Sequence, residues 1–222
     1  MKMGEIELDP RVKNRVCLGI LHFASVNCQK YSAELWEEIH GLEEQYRKRY
    51  KTPSEALEIL KPARTLYHEF GMEPTRYRPS SEALLRRIIK GKALYQINSV
   101  VDVCNYCSLY FLLPIGLYDI SKIEGEIKVR VGEAGEEYEG IGKEMIHVNG
   151  RLTLTDRKGP FGNPSADSLR TAIDFSSSEI LMVIFAPGGY PESNMNAHLQ
   201  FARDTMLRYH PGSEIREMKL LK

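Results

Sequence analysis

The chain has no surplus of charge, few cysteines and no long apolar run. Lys plus Arg and Asp plus Glu number 30 each in 222 residues, so the formal net charge is zero. That balance excludes a protein that coats nucleic acid through overall basicity; any such contact must come from a local patch. No DNA partner is expected. The apolar runs are too short to span a bilayer, so no membrane association is expected. MKMGEIELDP does not read as a secretory leader, and a cytoplasmic location is the expectation. Four cysteines are too few for a disulfide framework at this size. Low-complexity tracts, internal repeats and long linkers are absent from the sequence.

What is present suffices for a sizeable core, since 42% of the residues are apolar. One domain over residues 1–222 is expected. Residues 15–23, RVCLGILHF, read as a buried strand. Ser32 should cap a helix with Leu35, Trp36, Ile39, Leu42 and Tyr46 at helical spacing. Thr52, Pro53 and Glu55 read as a capping box opening another helix. Lys61-Pro62 should break it, with a short helix then running to Gly71. Ser80 opens a helix that Gly91 should end. Residues 99–112, apolar almost all round, predict a buried helix. EIKVRV and RLTLTD read as strands, 159–171 as a loop, and EILMVIFA at 179–186 as the strongest core strand. Ser193 should cap a last helix bearing Met195, Leu199, Ala202 and Met206. Helices and strands mix irregularly, which favours α+β.

Several residues carry candidate chemistry. Cys104-x-x-Cys107 has the form of a redox or metal pair, but it lies within the apolar helix, where cysteines behave as small hydrophobes; no metal site is expected. Asn98, Asp102 and Asn105 either shape a pocket or, for the first two, belong to a cap in which Ser99 and Asp102 form the box. GPFGNPSADSLRT places Gly159 and Gly162 beside Asp167, Ser168, Arg170 and Thr171. It reads equally as an anion- or carbonyl-binding loop and as a rigid turn held by an Asp–Arg pair. Arg76, Arg78, Arg86, Arg87, Lys90 and Lys92 form the densest basic stretch, either a solvated face or a phosphate track. The histidines pair with no Ser or Cys in a nucleophile motif.

Residues 97–119 go further. Ile97, Asn98, Val100, Val101 and Asp102 lead through Asn105 and Tyr106 to Pro114, Tyr118 and Asp119 without a gap. This run resembles the signature of the editing domain, the B-three/B-four domain, of the phenylalanyl-tRNA synthetase beta subunit. The resemblance covers about 79–190, and the DSLRT segment with the N-terminal extension is similar to stand-alone members. It implies an α+β fold similar to a three-layer β/β/α sandwich. It also implies tRNA as partner and hydrolysis of a wrongly attached amino acid by a positioned water, without metal, cofactor or covalent intermediate. No ligase activity is implied. On this reading Asp167, Ser168 and Thr171 are catalytic. Asn98, Asn105, Gly116, Tyr118, Asp119, Gly159, Phe161, Gly162 and Arg170 bind the substrate, and the basic stretch holds tRNA. Where the synthetase domain has Thr, His and Glu, this chain has Cys104, Gly116 and the surroundings of Met182. The cleft is therefore expected to be roomier and less polar on its helix side. A non-catalytic binding module and a cofactor-free enzyme on a small metabolite are the alternatives.

Overall fold

The computed structural model describes residues 4–142 and 144–222. Strand β1 (Ile6–Leu8) is followed by β2 (Val16–Ala24), buried along its whole length. Helix α1 (Ala33–Arg49) starts at Ser32, whose hydroxyl accepts the Leu35 N–H. Its apolar side buries Leu35, Trp36, Ile39 and Tyr46. Helices α2 (Lys61–Glu69), α3 (Ser80–Ile89) and α4 (Ser99–Phe111) follow. Then come β3 (Ile115–Asp119), β4 (Ile127–Val131), and the short ribbon of β5 (Glu137–Glu139) and β6 (Met145–His147). The chain continues through β7 (Leu152–Asp156), β8 (Gly159–Asn163), β9 (Ala166–Asp167) and β10 (Ile180–Pro187). It closes with α5 (Glu192–Tyr209) and β11 (Glu214–Leu221).

Two sheets and a helical layer make a β/β/α sandwich. The middle sheet runs β11-β2-β10-β3, all antiparallel, and the outer sheet runs β1-β4-β7-β8-β9. Strand alternation assigns the two cores. Leu18, Ile20, Leu181, Val183, Phe185 and Tyr118 face the outer sheet and meet Ile127, Val129, Leu154 and Phe161. Cys17, Leu21, Phe23, Met182 and Ile184 face the helices and meet residues of α1, α3, α4 and α5. β10 is central and fully buried, as its unbroken apolar run predicts. Cys104 and Cys107 pack into the helical core, and burial raises both thiol pKa values. Among the described residues, no helix is long and apolar enough to cross a membrane.

Four local expectations need correction. Residues 51–60 form turns, not a helix, although Glu55 accepts the Lys51 N–H at 2.9 Å and the Thr52 hydroxyl at 3.0 Å. Pro62 does not break a helix; it stands in the first turn of α2, where a missing N–H costs nothing. The last helix begins with Pro191 at its cap, so Ser193 lies inside the first turn. The cap of α4 is Asn98 rather than Ser99, and its side chain accepts the Val101 N–H at 2.9 Å. Asp102 accepts the Ile97 N–H and, at 2.9 Å, the Trp36 indole N–H. Both residues therefore serve the helix start.

Candidate active site

The segment 159–171 is mostly sheet. β8 and β9 form a hairpin whose turn is held by Asn163, with Oδ1 accepting the Ser165 and Ala166 N–H groups at 2.7 and 3.1 Å. Only Gly159 uses a positive φ, +109°. Gly162 is needed for a different reason: an added Cβ would lie 2.2 Å from the Tyr118 hydroxyl. The amides expected to be bare are largely engaged. Ser168 N–H bonds to Phe161 O at 2.9 Å, and Thr171 N–H to the Ser168 hydroxyl at 3.2 Å.

Between this hairpin, α4, β3 and the start of α3 lies a cleft of about 280 Å³. Its walls are Ile97, Val101, Cys104, Ile115, Leu117, Ile141 and Ile173, with Ser80, Asn105, Asn163, Ser165 and Asp167 as polar groups. An apolar lining with few convergent polar groups is the usual character of a small-ligand site. A wider groove of about 660 Å³ lies along Ile123, Lys128 and Arg157, and its buried acid, Asp156, is tied to Arg170.

Asp167 is the carboxyl that lines the cleft. It is half-buried, and Oδ2 accepts the Leu117 N–H at 3.1 Å. Burial pushes its carboxyl up to about 7, against the opposing effect of the Leu117 N–H and then the Tyr118 hydroxyl. Asp167 pairs directly with Gly162 across the hairpin, so its side chain shares the face on which Gly162 leaves space. The Tyr118 hydroxyl fills that space, buried beside the Asp167 carboxyl. Gly116 provides the other side of the slot, with an added Cβ 2.1 Å from the same oxygen.

The structure thus gathers Asp167 and Asn105 at the cleft and places other expected site residues elsewhere. Ser168 and Thr171 are buried and bonded to each other, hydroxyl to hydroxyl, at 2.9 Å. Asp119 caps the following turn through Ser121 and accepts the Ser177 hydroxyl at 2.6 Å. Arg170 forms a two-pronged pair with Asp156 at 2.9 Å. Phe161, Tyr118 and Gly116 lie on the sandwich side, Asn98 is a cap, and Gly159 is the first residue of β8, paired with Asp156. Between Asp167 and Ser168 the cause is strand alternation, which sends neighbouring residues to opposite faces; Arg170 and Thr171 lie in the turn that follows. Replacing Ser168 with Ala or Thr171 with Val is accordingly expected to lower stability by about 1–3 kcal/mol, the range for leaving a buried hydrogen-bonding group unpaired. Equilibrium urea unfolding checks this.

Ser80 and Asn163, along with Ile115, Leu117, Ile141 and Ile173, carry no sequence signal that marks them as site residues. The Asn-Pro pair at 163–164 marks a turn, but nothing local shows that it faces α3. A buried Ser99–His210 pair at 2.8 Å is equally silent in the sequence; the Ser99 hydroxyl already accepts the Gln29 N–H, and burial lowers the His210 pKa. Of the basic stretch, Arg76, Arg78, Lys90 and Lys92 are exposed. Arg86 binds buried Glu82 at 2.7 Å, and Arg87 lies over the Tyr95 ring at 3.8 Å. Arg151, over the Tyr77 ring at 3.9 Å, joins this surface.

Comparison with known proteins places the chain beside one family. The phenylalanine–tRNA ligase beta subunit of Streptococcus mutans is 26% identical over 132 residues, 58% of this chain and 16% of that protein. The corresponding subunit of Legionella pneumophila is 38% identical over 65 residues, 29% of this chain and 8% of that protein. The chain therefore spans less than a fifth of the length of these relatives. An N-terminal fragment of the phenylalanyl-tRNA synthetase beta-subunit from Pyrococcus horikoshii aligns with a TM-score of 0.46 and 15% identity over 96% of this chain and 52% of that one. The family model of the B3/4 domain matches residues 63–209, and the chain belongs to that family.

Proposed function

We propose that the chain is a trans-acting aminoacyl-tRNA deacylase, a hydrolase of the ester between a wrong amino acid and tRNA. The observation that supports this best is Asp167, a carboxyl raised to about 7 at an apolar-walled cleft. A base with a pKa near the working pH combines a useful ionised fraction with good proton affinity. The amino-acid side chain would sit against Val101, Ile115, Leu117 and Ile173, with Asn105 as a polar contact. Ionised Asp167 would take a proton from the water as its oxygen attacks the ester carbonyl carbon. The carbonyl electrons move onto oxygen, and collapse breaks the ester C–O bond, the ribose oxygen taking the proton from Asp167 as the free amino acid is released. The tRNA body would lie along Arg76, Arg78, Lys90 and Lys92.

One observation favours a binding module instead: the Ser168 and Thr171 hydroxyls and the neighbouring amides are already engaged. A deacylation assay on a panel of mischarged tRNAs separates the two. Hydrolysis of at least one above the spontaneous rate supports the enzyme; retention of tRNA with no hydrolysis across the panel leaves the binding module. In the same preparations, Arg76→Glu with Arg78→Glu is expected to weaken binding to all tRNAs alike. The salt slope should fall by about 0.7–0.9 for each phosphate that the protein no longer neutralises. Unchanged affinity would make this surface a solvated face only. Arg86 is unsuitable for that test, because its removal would uncover buried Glu82.

A further inference from the structure

We propose that the start of α3, together with Ser80 and Asn163, forms an oxyanion-binding subsite in the wall of the cleft. The helix begins after Pro79, which has no side-chain acceptor to cap it and no N–H for an acidic side chain to reach back to. The Ser80 N–H goes to Pro164 O at 3.3 Å and the Ala83 N–H to Pro79 O at 3.0 Å. The two amides between them, of Ser81 and Glu82, have no acceptor among the described residues, and both residues are fully buried. A helix start left open in this way takes its acceptor from outside the helix, from water or from a ligand.

A second, independent observation lies next to it. Asn163 is 3% exposed and lines the cleft. Its Oδ1 is committed to the hairpin turn, which fixes the amide orientation, and its Nδ2 has no acceptor among the described residues. The Ser80 hydroxyl, on the same cleft wall, is likewise unpartnered. The Ser80–Pro164 backbone bond holds the two side chains' segments together. Every open group here is able to donate, so the complement is an acceptor, and the helix start favours a negative one.

The surrounding charges fit. The Glu82 carboxylate lies in this first turn, but Arg64 binds it at 3.0 Å and Arg86 at 2.7 Å, which leaves one positive charge in excess. Exposed Arg76 and Arg78 precede the helix. Asp167, on the same cleft, opposes an anion when ionised. The ligand group is a phosphate or carboxylate oxygen, supplied by the nucleic-acid backbone or by an amino acid. Hydrolysis is not required for either.

The test is a titration of the 15N-labelled 222-residue chain at pH 6.5 with inorganic phosphate and, separately, with acetate. The resonances read are the Asn163 side-chain amide and the Ser81 and Glu82 backbone amides. Saturable shifts at these positions are expected, at least about tenfold weaker in Ser80→Asp, whose carboxylate would occupy the site as a like charge. An acidic residue suits a helix start, and the amide dispersion of the same spectra shows whether the variant is folded. A response to phosphate alone assigns the site to the nucleic-acid backbone, and a response to acetate alone assigns it to an amino-acid carboxylate. No shift with either anion, or equal shifts in Ser80→Asp, overturns the subsite. Anion binding without deacylation keeps this site and removes the enzyme reading; deacylation without anion shifts does the reverse.

Discussion

Asp167→Asn is expected to lower aminoacyl-tRNA hydrolysis by about 10²–10⁴-fold, the range for losing a positioned general base. Binding of tRNA should persist, because the exposed basic residues are untouched. The wild-type rate should rise with pH through about 7, as the carboxyl ionises, and then level off. The same group makes a stability prediction with a definite sign. Its carboxyl titrates near 7 when folded and near 3.9 in an unfolded chain, so between those values the folded protein holds the extra proton. Stability from this source is present below about pH 4 and is lost as pH rises toward 7 and beyond. Asp167→Asn keeps the size and removes the charge, so it should flatten that decline and exceed the wild type in stability at pH 8.5. Urea unfolding at pH 5 and 8.5 measures this. A wild type equally stable at both, with a variant of unchanged hydrolysis, would show that the cleft does not depend on this acid.

Gly162→Ala should be strongly destabilising. The added carbon would lie 2.2 Å from the Tyr118 hydroxyl and 2.6 Å from carbons of its ring. That ring cannot step aside, since it is fully buried and meets Phe161 edge-on at 5.0 Å. Overfilling a packed core costs about 1–3 kcal/mol. Gly116→Ala should behave alike, from the opposite side of the same oxygen. Adding Tyr118→Phe should recover only part of the deficit, because it removes the oxygen and leaves the ring carbons in place. Thermal unfolding of the single and double variants tests the slot; a Gly162→Ala protein as stable as the wild type would refute it. Gly116→His, suggested by the turn histidine of the synthetase domain, would drive a ring into the sandwich instead of the cleft.

The legibility of this protein differs by element. The burial of α4 and the central place of β10 follow from nearly unbroken apolar runs, which have no stable position except between layers. The capping of α1 at Ser32 is local chemistry, complete within four residues. The hairpin over 159–167 is hidden in the sequence because Gly and Pro at 159, 160, 162 and 164 are turn formers. Here they occupy β8 and its turn, held by pairing with β7.

The sequence by itself determined the α+β class, the main buried elements and, through the run from Ile97 to Asp119, the family. Those features arise from periodicity and spacing within short stretches. Only the tertiary structure decided which polar groups share a cleft. Asp167 meets the Leu117 amide 50 residues away, and Ser80 meets Pro164 through a bond between distant segments. In the DSLRT segment, Asp167 reaches the cleft while Ser168, the next residue, turns into the protein. The reason is geometric: adjacent strand residues face opposite ways, and which face looks onto the cleft is set by register with strands far along the chain.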